Sequence, residues 1–171
     1  MNAKQAIVLL AACLLSAGCG VSSPLPSPTP HPHYEELRAA YEHFQATTTE
    51  AVLNLDTSHL SEVATGEELK GLITGIEVSK DNCARINELV YTDVQILSVE
   101  VEEYSPSQAT IKVKQFEKDV AQNCQTGARI EYPYTVRFCR VHRLTFVKEE
   151  GMWKLAGGKQ LDFWEAPESG K

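Results

Sequence analysis

The stretch "ATIKVKQFEKDV", Ala109–Val120, alternates apolar and polar side chains through its first half. Ile111 and Val113 fall on one side of it, and Lys112 and Lys114 fall on the other. Because successive side chains of a strand point to opposite faces, this pattern is typical of a strand with one buried and one solvated face. The stretch therefore predicts an antiparallel sheet that is covered on one side.

Strand patterns also lie on either side of this stretch. Leu89–Tyr104 is rich in β-branched and aromatic residues and alternates in part, and the turn Ser105–Ser107 joins it to Ala109–Val120. Ala128–Glu150 has the pattern of a long strand that is bulged or broken near Pro133, because proline cannot donate a hydrogen bond to a ladder.

A final strand follows a glycine turn. Gly151 turns the chain into Met152–Trp164, which is expected to be kinked at Gly157–Gly158. With the three segments before it, this strand completes a predicted sheet of four long antiparallel strands.

The residues before the strands follow a helical period instead. Apolar and aromatic side chains recur at three- and four-residue steps from Tyr34 to Leu55, which predicts one amphipathic helix of about twenty residues. Asp56 or Thr57 can cap a short helix after it, with Gly66 following its end.

A second long helix is predicted after Gly66. Thr65 and Glu68 have the spacing of a capping box. The helix carries an apolar stripe of six residues: Leu69, Leu72, Ile73, Ile76, Cys83 and Ile86. Gly71 and Gly75 are expected to permit close packing. Helices followed by strands give an α+β order.

This order resembles the nuclear-transport-factor-2-like, or cystatin-like cone, superfamily. The resemblance rests on the helical N-terminal third, the four-strand meander and the closing "EEGMWKLAGG", Glu149–Gly158. "LDTSHLSEVATGEEL", Leu55–Leu69, is similar to the domain found between the envelope membranes in plastid and cyanobacterial division proteins, and to related bacterial lipoproteins. It implies an α+β cone domain over residues 34–166, with helices on a curved sheet that encloses a pocket, followed by a tail at 167–171.

The N-terminus has the pattern of a targeting segment. Lys4 supplies a positive charge, Ala6–Leu15 is an uncharged apolar run, and small residues follow it. The run is too short to span a bilayer, which needs about 20 apolar residues. Residues 1–18 are therefore predicted to be a signal peptide.

Leu15-Ser16-Ala17-Gly18-Cys19 resembles the lipobox of bacterial lipoproteins, with Ser16 where that family usually has an aliphatic residue. The resemblance implies that Cys19 becomes the first residue and carries acyl chains such as palmitate, which place the protein in a bacterial cell envelope on the extracytoplasmic side of a membrane. Two or three acyl chains explain stable anchoring. A plain secretory signal cut near Gly18 is the alternative.

The charge balance limits the partners. The chain of 171 residues has a formal charge of −7, so nucleic acid, which needs a basic face, is not expected. Cleavage before Cys19 removes Lys4 and no acidic residue, so −7 becomes −8. Anionic headgroups repel such a body, and the lipid is expected to be its contact with the membrane.

Residues 19–33 are predicted to be the anchor and a linker. Alternating prolines from Pro24 to Pro32 favour polyproline II, so the fourteen residues Gly20–His33 reach roughly 40 Å. His31 and His33 lack a third fixed ligand, and no metal or other cofactor is predicted.

Three cysteines remain in the domain. Cys83 ends a helix just before the first strand, and Cys124 follows the second strand of the hairpin, so the two should meet at one rim of the sheet. We expect a Cys83–Cys124 disulfide, contributing about 4 kcal/mol less any strain, and a free, buried Cys139.

Two groups of residues are candidates for binding. The "RFCRVHR" cluster of Arg137, Arg140, His142 and Arg143 could contact an anion or an acidic partner, or it could be a solvated face paired with Glu100, Glu102 or Glu117. The candidate pocket residues are Tyr91, Tyr132, Tyr134 and Trp153.

Three functions follow from these features. The first is a non-catalytic, lipid-anchored module that binds an unknown protein or small molecule outside the cytoplasm. The second is a small isomerase- or cyclase-like enzyme acting on an apolar substrate, with Asp93 paired to Tyr134 or His142. The third is an envelope or division scaffold, which the resemblance alone implies.

Overall fold

The structure is a computed structural model that describes residues 31–131 and 137–166. Three helices precede five strands within these ranges: α1 Tyr34–Asn54, α2 Leu60–Val63, α3 Gly66–Ile86, β1 Glu88–Tyr104, β2 Gln108–Asn123, β3 Arg129–Ile130, β4 Arg137–Glu149 and β5 Met152–Ala166. The strands pair antiparallel in the order β1-β2-β4-β5, with the short β3 also beside β2. The α+β prediction is confirmed.

Several predictions concern residues outside these ranges. The signal peptide 1–18, the anchor at Cys19, the first part of the linker, and the tail 167–171 lie outside the described residues, as do Pro133 and Tyr134. Within the described ranges, no helix is long and apolar enough to cross a membrane.

The prediction of four strands is wrong by one. The long third strand is divided into β3 and β4, and both pieces pair with β2. Ile130 pairs with Ala121, and Arg137 pairs with Lys118, so β3 and β4 use successive parts of β2. Pro133, which has no N–H to donate to a ladder, lies between β3 and β4 in the sequence.

β1 alternates only in part because two bulges interrupt it. The register shifts between Ile96 and Ser98 and again between Val101 and Glu103. Each bulge adds one residue, which returns the next apolar side chain to the covered face. Ile96 and Val99 across the first bulge, and Val101 and Tyr104 across the second, therefore all pack on the same core.

Two turns join the long strands as predicted. Ser105 N donates to Gln108 O at 2.7 Å in the β1–β2 turn. In the β4–β5 turn, Glu150 and Gly151 both have positive φ, as a two-residue type I′ hairpin requires. β5 also has register shifts, one of them opposite Thr145 and Phe146, beside the predicted kink at Gly157.

The helices cover one face of the sheet, which we call the helix face. Its core joins Leu37, Tyr41 and Phe44 of α1 to alternate residues of β2, β4 and β5. Those strand residues are Ala109, Ile111, Val113, Leu144, Phe146, Trp153 and Leu155. The intervening residues, including Lys112, Lys114, Phe116, Val141, Arg143 and Trp164, form the open face.

The starts of α2 and α3 differ from the predictions. Asp56 accepts hydrogen bonds from the N–H and the hydroxyl of Ser58, and His59 occupies the N-cap of α2 without a side-chain cap. Thr65 is the N-cap of α3, but its hydroxyl donates to Glu149 Oε1 at 3.2 Å instead of capping the helix. The capping box is therefore not formed, and Thr65 ties α3 to the end of β4.

α3 is less buried than its apolar stripe predicts. Only Ile76 is buried on α3, whereas Ile73 and Ile86 are exposed. The expected close packing at Gly71 and Gly75 is wrong, since no atom lies within 4 Å of a Cβ built at either position.

The cysteine predictions are confirmed. Cys83 and Cys124 form a disulfide with their Cα atoms 5.6 Å apart. Cys139 is free and 1% exposed. It lies on the open face, where its register neighbours are Phe116 of β2 and Trp164 of β5.

Candidate functional site

A pocket of about 410 Å³ opens between α1, the start of α3 and the helix face. We call it the site pocket. Its apolar wall comprises Phe44, Val94, Leu144 and Leu155, and its polar lining comprises Gln45, Glu68, Thr92, Gln115, Glu117, Arg140, His142 and Gln160, with Tyr41 and Gly158 between them. This volume lies within the range of small-molecule sites.

Gly158 keeps one wall of the site pocket thin. A Cβ at this position would lie 2.8 Å from Leu144 Cδ2, closer than carbon atoms approach. Leu144 therefore packs directly over the backbone of β5, and the absence of a side chain at Gly158 leaves room beside it.

Glu117 is the centre of the polar floor. Its Oε1 accepts a hydrogen bond from Gln115 Nε2 at 2.8 Å and lies 3.1 Å from His142 Nε2. Its Oε2 lies 3.1 Å from Arg140 Nε, an ion pair rather than an aligned hydrogen bond. The Glu117 side chain is only 12% exposed, so these partners compensate for most of the water it has lost.

The charge of Glu117 follows from the balance of these contacts. Burial raises the pKa of this carboxyl, but the hydrogen bonds from His142 and Gln115 and the charge of Arg140 lower the pKa by more. The net pKa is below the ordinary value, so Glu117 is ionised at neutral pH.

A line of hydrogen bonds connects Glu117 to α1. The Tyr41 hydroxyl donates to Gln115 Oε1, and Gln45 Nε2 donates to the Tyr41 oxygen at 2.6 Å. Burial raises the pKa of Tyr41, so its hydroxyl stays protonated and can donate. We call Gln45, Tyr41, Gln115, Glu117, Arg140 and His142 the Glu117 network.

The predicted basic cluster is divided between the two faces. Arg140 and His142 lie on the helix face, whereas Arg137 and Arg143 lie on the open face. The reason is the alternation of side chains along β4, which separates residues three apart. The four residues therefore do not form one basic stripe.

The open-face arginines have surface partners. Arg143 Nε donates to Glu102 Oε2 at 2.6 Å and holds the pKa of that carboxyl below its ordinary value. Arg137 donates to Gln95 Oε1 at 3.2 Å and lies over the ring of Phe116 at 5.1 Å. The expected cross-strand pairing with Glu102 and Glu117 is thus seen, although for Glu117 it occurs inside the site pocket.

The two predicted pocket aromatics within the described residues, Tyr91 and Trp153, are not brought together. Tyr91 lines a neighbouring pocket of about 420 Å³, which also includes Asp93. Trp153 is 8% exposed and belongs to the core at the other end of the sheet. Tyr132 and Tyr134 lie outside the described residues. The carboxylate beside His142 belongs to Glu117 rather than to Asp93.

The last linker residue described packs against the sheet near Trp153. The His33 ring stacks on Tyr104 with centroids 3.8 Å apart. Glu36 accepts hydrogen bonds from Lys148 Nζ at 2.8 Å and Trp153 Nε1 at 2.7 Å, which lower its pKa to about 2. This contact fixes the start of α1 on β4 and β5, far along the sheet from the site pocket.

Sequence reasoning missed Gln115 and expected Glu117 only as a partner on a solvated face, although a signal for both positions exists. Both continue the row of Ile111 and Val113 along the same strand, so the alternation of side-chain directions places two polar side chains on a covered face. A polar residue in such a row must find a partner, and Arg140 in the matching row of β4 is the register neighbour of Gln115.

Comparisons with known proteins bear on the fold. The chain matches no family model, and none of the curated proteins matches it. The intermembrane-space region of the chloroplast protein ARC6 superposes with a TM-score of 0.56 and 16% identity, over 77% of this chain and 98% of that one.

Two other solved structures are less similar. A conserved protein from Planctomyces limnophilus has a TM-score of 0.44 and 13% identity, over 74% of this chain and 99% of that one. Aln2 from a Streptomyces species has a TM-score of 0.44 and 16% identity, over 80% of this chain and 92% of that one. At 16% identity, the likeness to the ARC6 region shows the fold alone: helices packed on an antiparallel sheet.

Proposed function

We propose that this protein is a non-catalytic binding module, held outside the cytoplasm by a lipid on Cys19, whose site pocket takes a small ligand. The observation that carries the proposal is the Glu117 network. A largely buried carboxylate, a guanidinium and an imidazole are held in fixed positions at the floor of an open pocket. Fixed polar groups against an apolar wall are how small-molecule sites orient a ligand.

Two observations support an extracytoplasmic address. The Cys83–Cys124 disulfide is expected of a protein that folds in an oxidising compartment. The ARC6 region of similar fold is itself an intermembrane-space domain. With the lipobox-like sequence ending at Cys19, these favour a folded body tethered at a membrane surface.

The address is tested by mass spectrometry of the protein from its native membranes. We expect a first residue Cys19 carrying acyl chains, and we expect Cys19→Ser to leave the membrane fraction. An unmodified thiol at Cys19 would refute the anchor, and a reduced Cys83–Cys124 pair in the native protein would refute the compartment.

The state of Glu117 favours binding over catalysis. A general base works best with a pKa near the operating pH, and the pKa of Glu117 is lowered instead. Its two oxygens are already occupied by Gln115, His142 and Arg140. The carboxylate thus positions other groups rather than accepting a proton.

One observation favours an enzyme as the second candidate. His142 is oriented by Glu117 and lines the site pocket, and a carboxylate-oriented imidazole is a common general base. The reaction it would serve is proton removal beside a carbonyl, as in isomerases and cyclases.

One experiment separates the two candidates. A fragment library is screened by the shifts of backbone amide signals in the isotopically labelled protein, and ketone fragments that bind are followed in D₂O. A binding module shifts the signals of β4 and β5 around the site pocket without exchanging the protons beside the carbonyl. Exchange that His142→Gln abolishes would establish the enzyme, and a library without any binder at the pocket would refute both.

A further inference from the structure

The Glu117 network determines which ring nitrogen of His142 is left for a ligand. Glu117 is ionised and can only accept hydrogen bonds, so His142 Nε2, 3.1 Å away, carries the hydrogen. In the neutral ring, Nδ1 is then an acceptor with no partner among the described residues. A ligand that reaches Nδ1 of the neutral ring must supply an O–H or N–H donor.

Arg140 offers hydrogen-bond donors beside the acceptor of His142. Its Nε lies against Glu117, and one terminal nitrogen makes only a long contact of 3.4 Å with Gln160 Oε1. The side chain is 34% exposed, so the rest of the guanidinium can donate to an incoming oxygen. The amide of Gln160 adds a further donor at the same wall.

The charge of the site pocket disfavours an anion. Glu117 and Glu68 contribute two carboxylates to the lining, and the single guanidinium of Arg140 is already paired with Glu117. The whole chain has a formal charge of −7. An anionic ligand would therefore meet like charge in the pocket and around it.

The lining also disfavours a purely apolar ligand. Eight of its fourteen residues are polar, and covering them with an apolar surface would leave donors and acceptors unpaired. Phe44, Leu144 and Leu155 still provide an apolar wall. The pocket thus fits a molecule with hydroxyl groups on its rim and C–H groups on its face.

We infer that the site pocket binds an uncharged saccharide ring, with one hydroxyl donating to His142 Nδ1 and a neighbouring oxygen accepting from Arg140. This inference rests on the proposed function and specifies its ligand. A hydroxyl both donates and accepts, so two adjacent hydroxyls can pair with the acceptor of His142 and the donor of Arg140 at once. The apolar wall packs against the C–H face of the ring.

The test titrates four probes into the labelled full chain and follows the amide signals of Arg140, His142, Gly158 and Gln160. The probes are N,N′-diacetylchitobiose and cellobiose as neutral saccharides, glucuronate as an anionic sugar, and cyclohexanol as a ring with a single hydroxyl. At least one neutral saccharide is expected to bind saturably and at least about tenfold more tightly than glucuronate or cyclohexanol.

Matched variants locate the binding. Arg140→Gln is expected to weaken saccharide binding about tenfold, whereas Arg143→Gln, three residues along β4 on the open face, leaves it unchanged. Gln160→Leu removes a donor, costs the Glu117 network only the long 3.4 Å contact from Arg140, and is expected to weaken binding several-fold. It provides a test that does not depend on the stability of the Arg140 variant.

The outcomes separate this inference from the proposal beneath it. Glucuronate or cyclohexanol binding as tightly as the neutral saccharides would overturn the inference, as would equal effects of Arg140→Gln and Arg143→Gln. If library fragments of another class, amides for instance, occupy the pocket while both neutral saccharides do not, the inference fails and the binding function stands. If neither saccharides nor fragments bind, both fail.

Discussion

The two faces of the sheet are built from the same strands but use their polar residues differently. On the helix face, Gln115 and Glu117 of β2 meet Arg140 and His142 of β4 under α1, in a network that is mostly withdrawn from water. On the open face, Lys112 pairs with Glu100 and Arg143 with Glu102 across strands, and these pairs stay solvated.

The arginines at 140 and 143 make the difference concrete. Arg140 is 34% exposed and its partner Glu117 is 12% exposed, whereas Arg143 is 50% exposed. An exposed ion pair contributes little, because water and salt screen it, but a partly buried one cannot lose a partner without leaving a charge uncompensated. The covering helix thus determines which polar pairs contribute to the stability of the fold.

The largest expected effect compares one phenylalanine from each face. Phe146 is fully buried on the helix face, and Phe146→Ala is expected to lower the free energy of unfolding by about 3–5 kcal/mol. Phe116 is half-buried on the open face, and Phe116→Ala should lower it by about 1 kcal/mol. Urea denaturation measures both. Equal losses would mean that the open face is covered in solution.

The next effect concerns the covering layer itself. α3 buries only Ile76, so the Cys83–Cys124 bridge at its end is expected to hold it in place. Replacing both cysteines with serine should lower the free energy of unfolding by about 2–4 kcal/mol. Hydrogen exchange should accelerate in α3 and not in the β2–β4 ladder. Uniform acceleration would show that the bridge stabilises the whole domain equally.

A smaller difference in the free energy of unfolding is expected between variants of Arg140 and Arg143. Arg140→Gln leaves Glu117 with one fewer partner and is expected to lower the free energy of unfolding by about 1 kcal/mol, a value reduced for the solvent that reaches the pair. Arg143→Gln should cause no measurable loss. The two variants are compared by urea denaturation in the same buffer, and a larger loss for Arg143→Gln would reverse the comparison.

The smallest effect is a dependence on pH. Lys148 and Trp153 lower the pKa of Glu36 from 4.5 to about 2. A carboxyl with a lowered folded-state pKa stabilises the fold above the unfolded value, and the contribution is lost as the pH falls from about 4.5 to about 2.

Glu36→Gln should therefore flatten the acid limb of the stability curve in that window. Glu102→Gln is the matched change on the open face, where Arg143 lowers the pKa of the carboxyl. Thermal unfolding at a series of pH values measures both. An identical acid limb for Glu36→Gln and the parent chain would contradict the assigned contact.

Much of the fold could be predicted because its signals are local. The period of α1, the alternation of β2 and the turn before Gln108 depend on neighbouring residues, and they also implied that Cys83 meets Cys124. The division of β3 from β4 was anticipated only as a break near Pro133. A two-residue strand carries too little pattern to be recognised.

The site was harder to predict, since it depends on the register between distant strands. Gln115 lies opposite Arg140 only because β2 and β4 pair as they do, and α1 then places Tyr41 above them. Charge composition suggested one basic stripe, yet alternation along β4 alone separates Arg140 from Arg137 and Arg143. Applying that rule to the arginines would have corrected the expectation from sequence.

Cys139 gives the sheet a built-in reporter of its own opening. The thiol is 1% exposed although it lies on the open face, so a maleimide reaches it only when the side chains or strands around it, with Phe116 and Trp164 as register neighbours, move apart. The rate of alkylation under native conditions thus measures local opening around Cys139, which equilibrium unfolding does not resolve. A ligand seated between Arg140 and Gln160, on the other side of the same strands, should slow that rate in proportion to its occupancy.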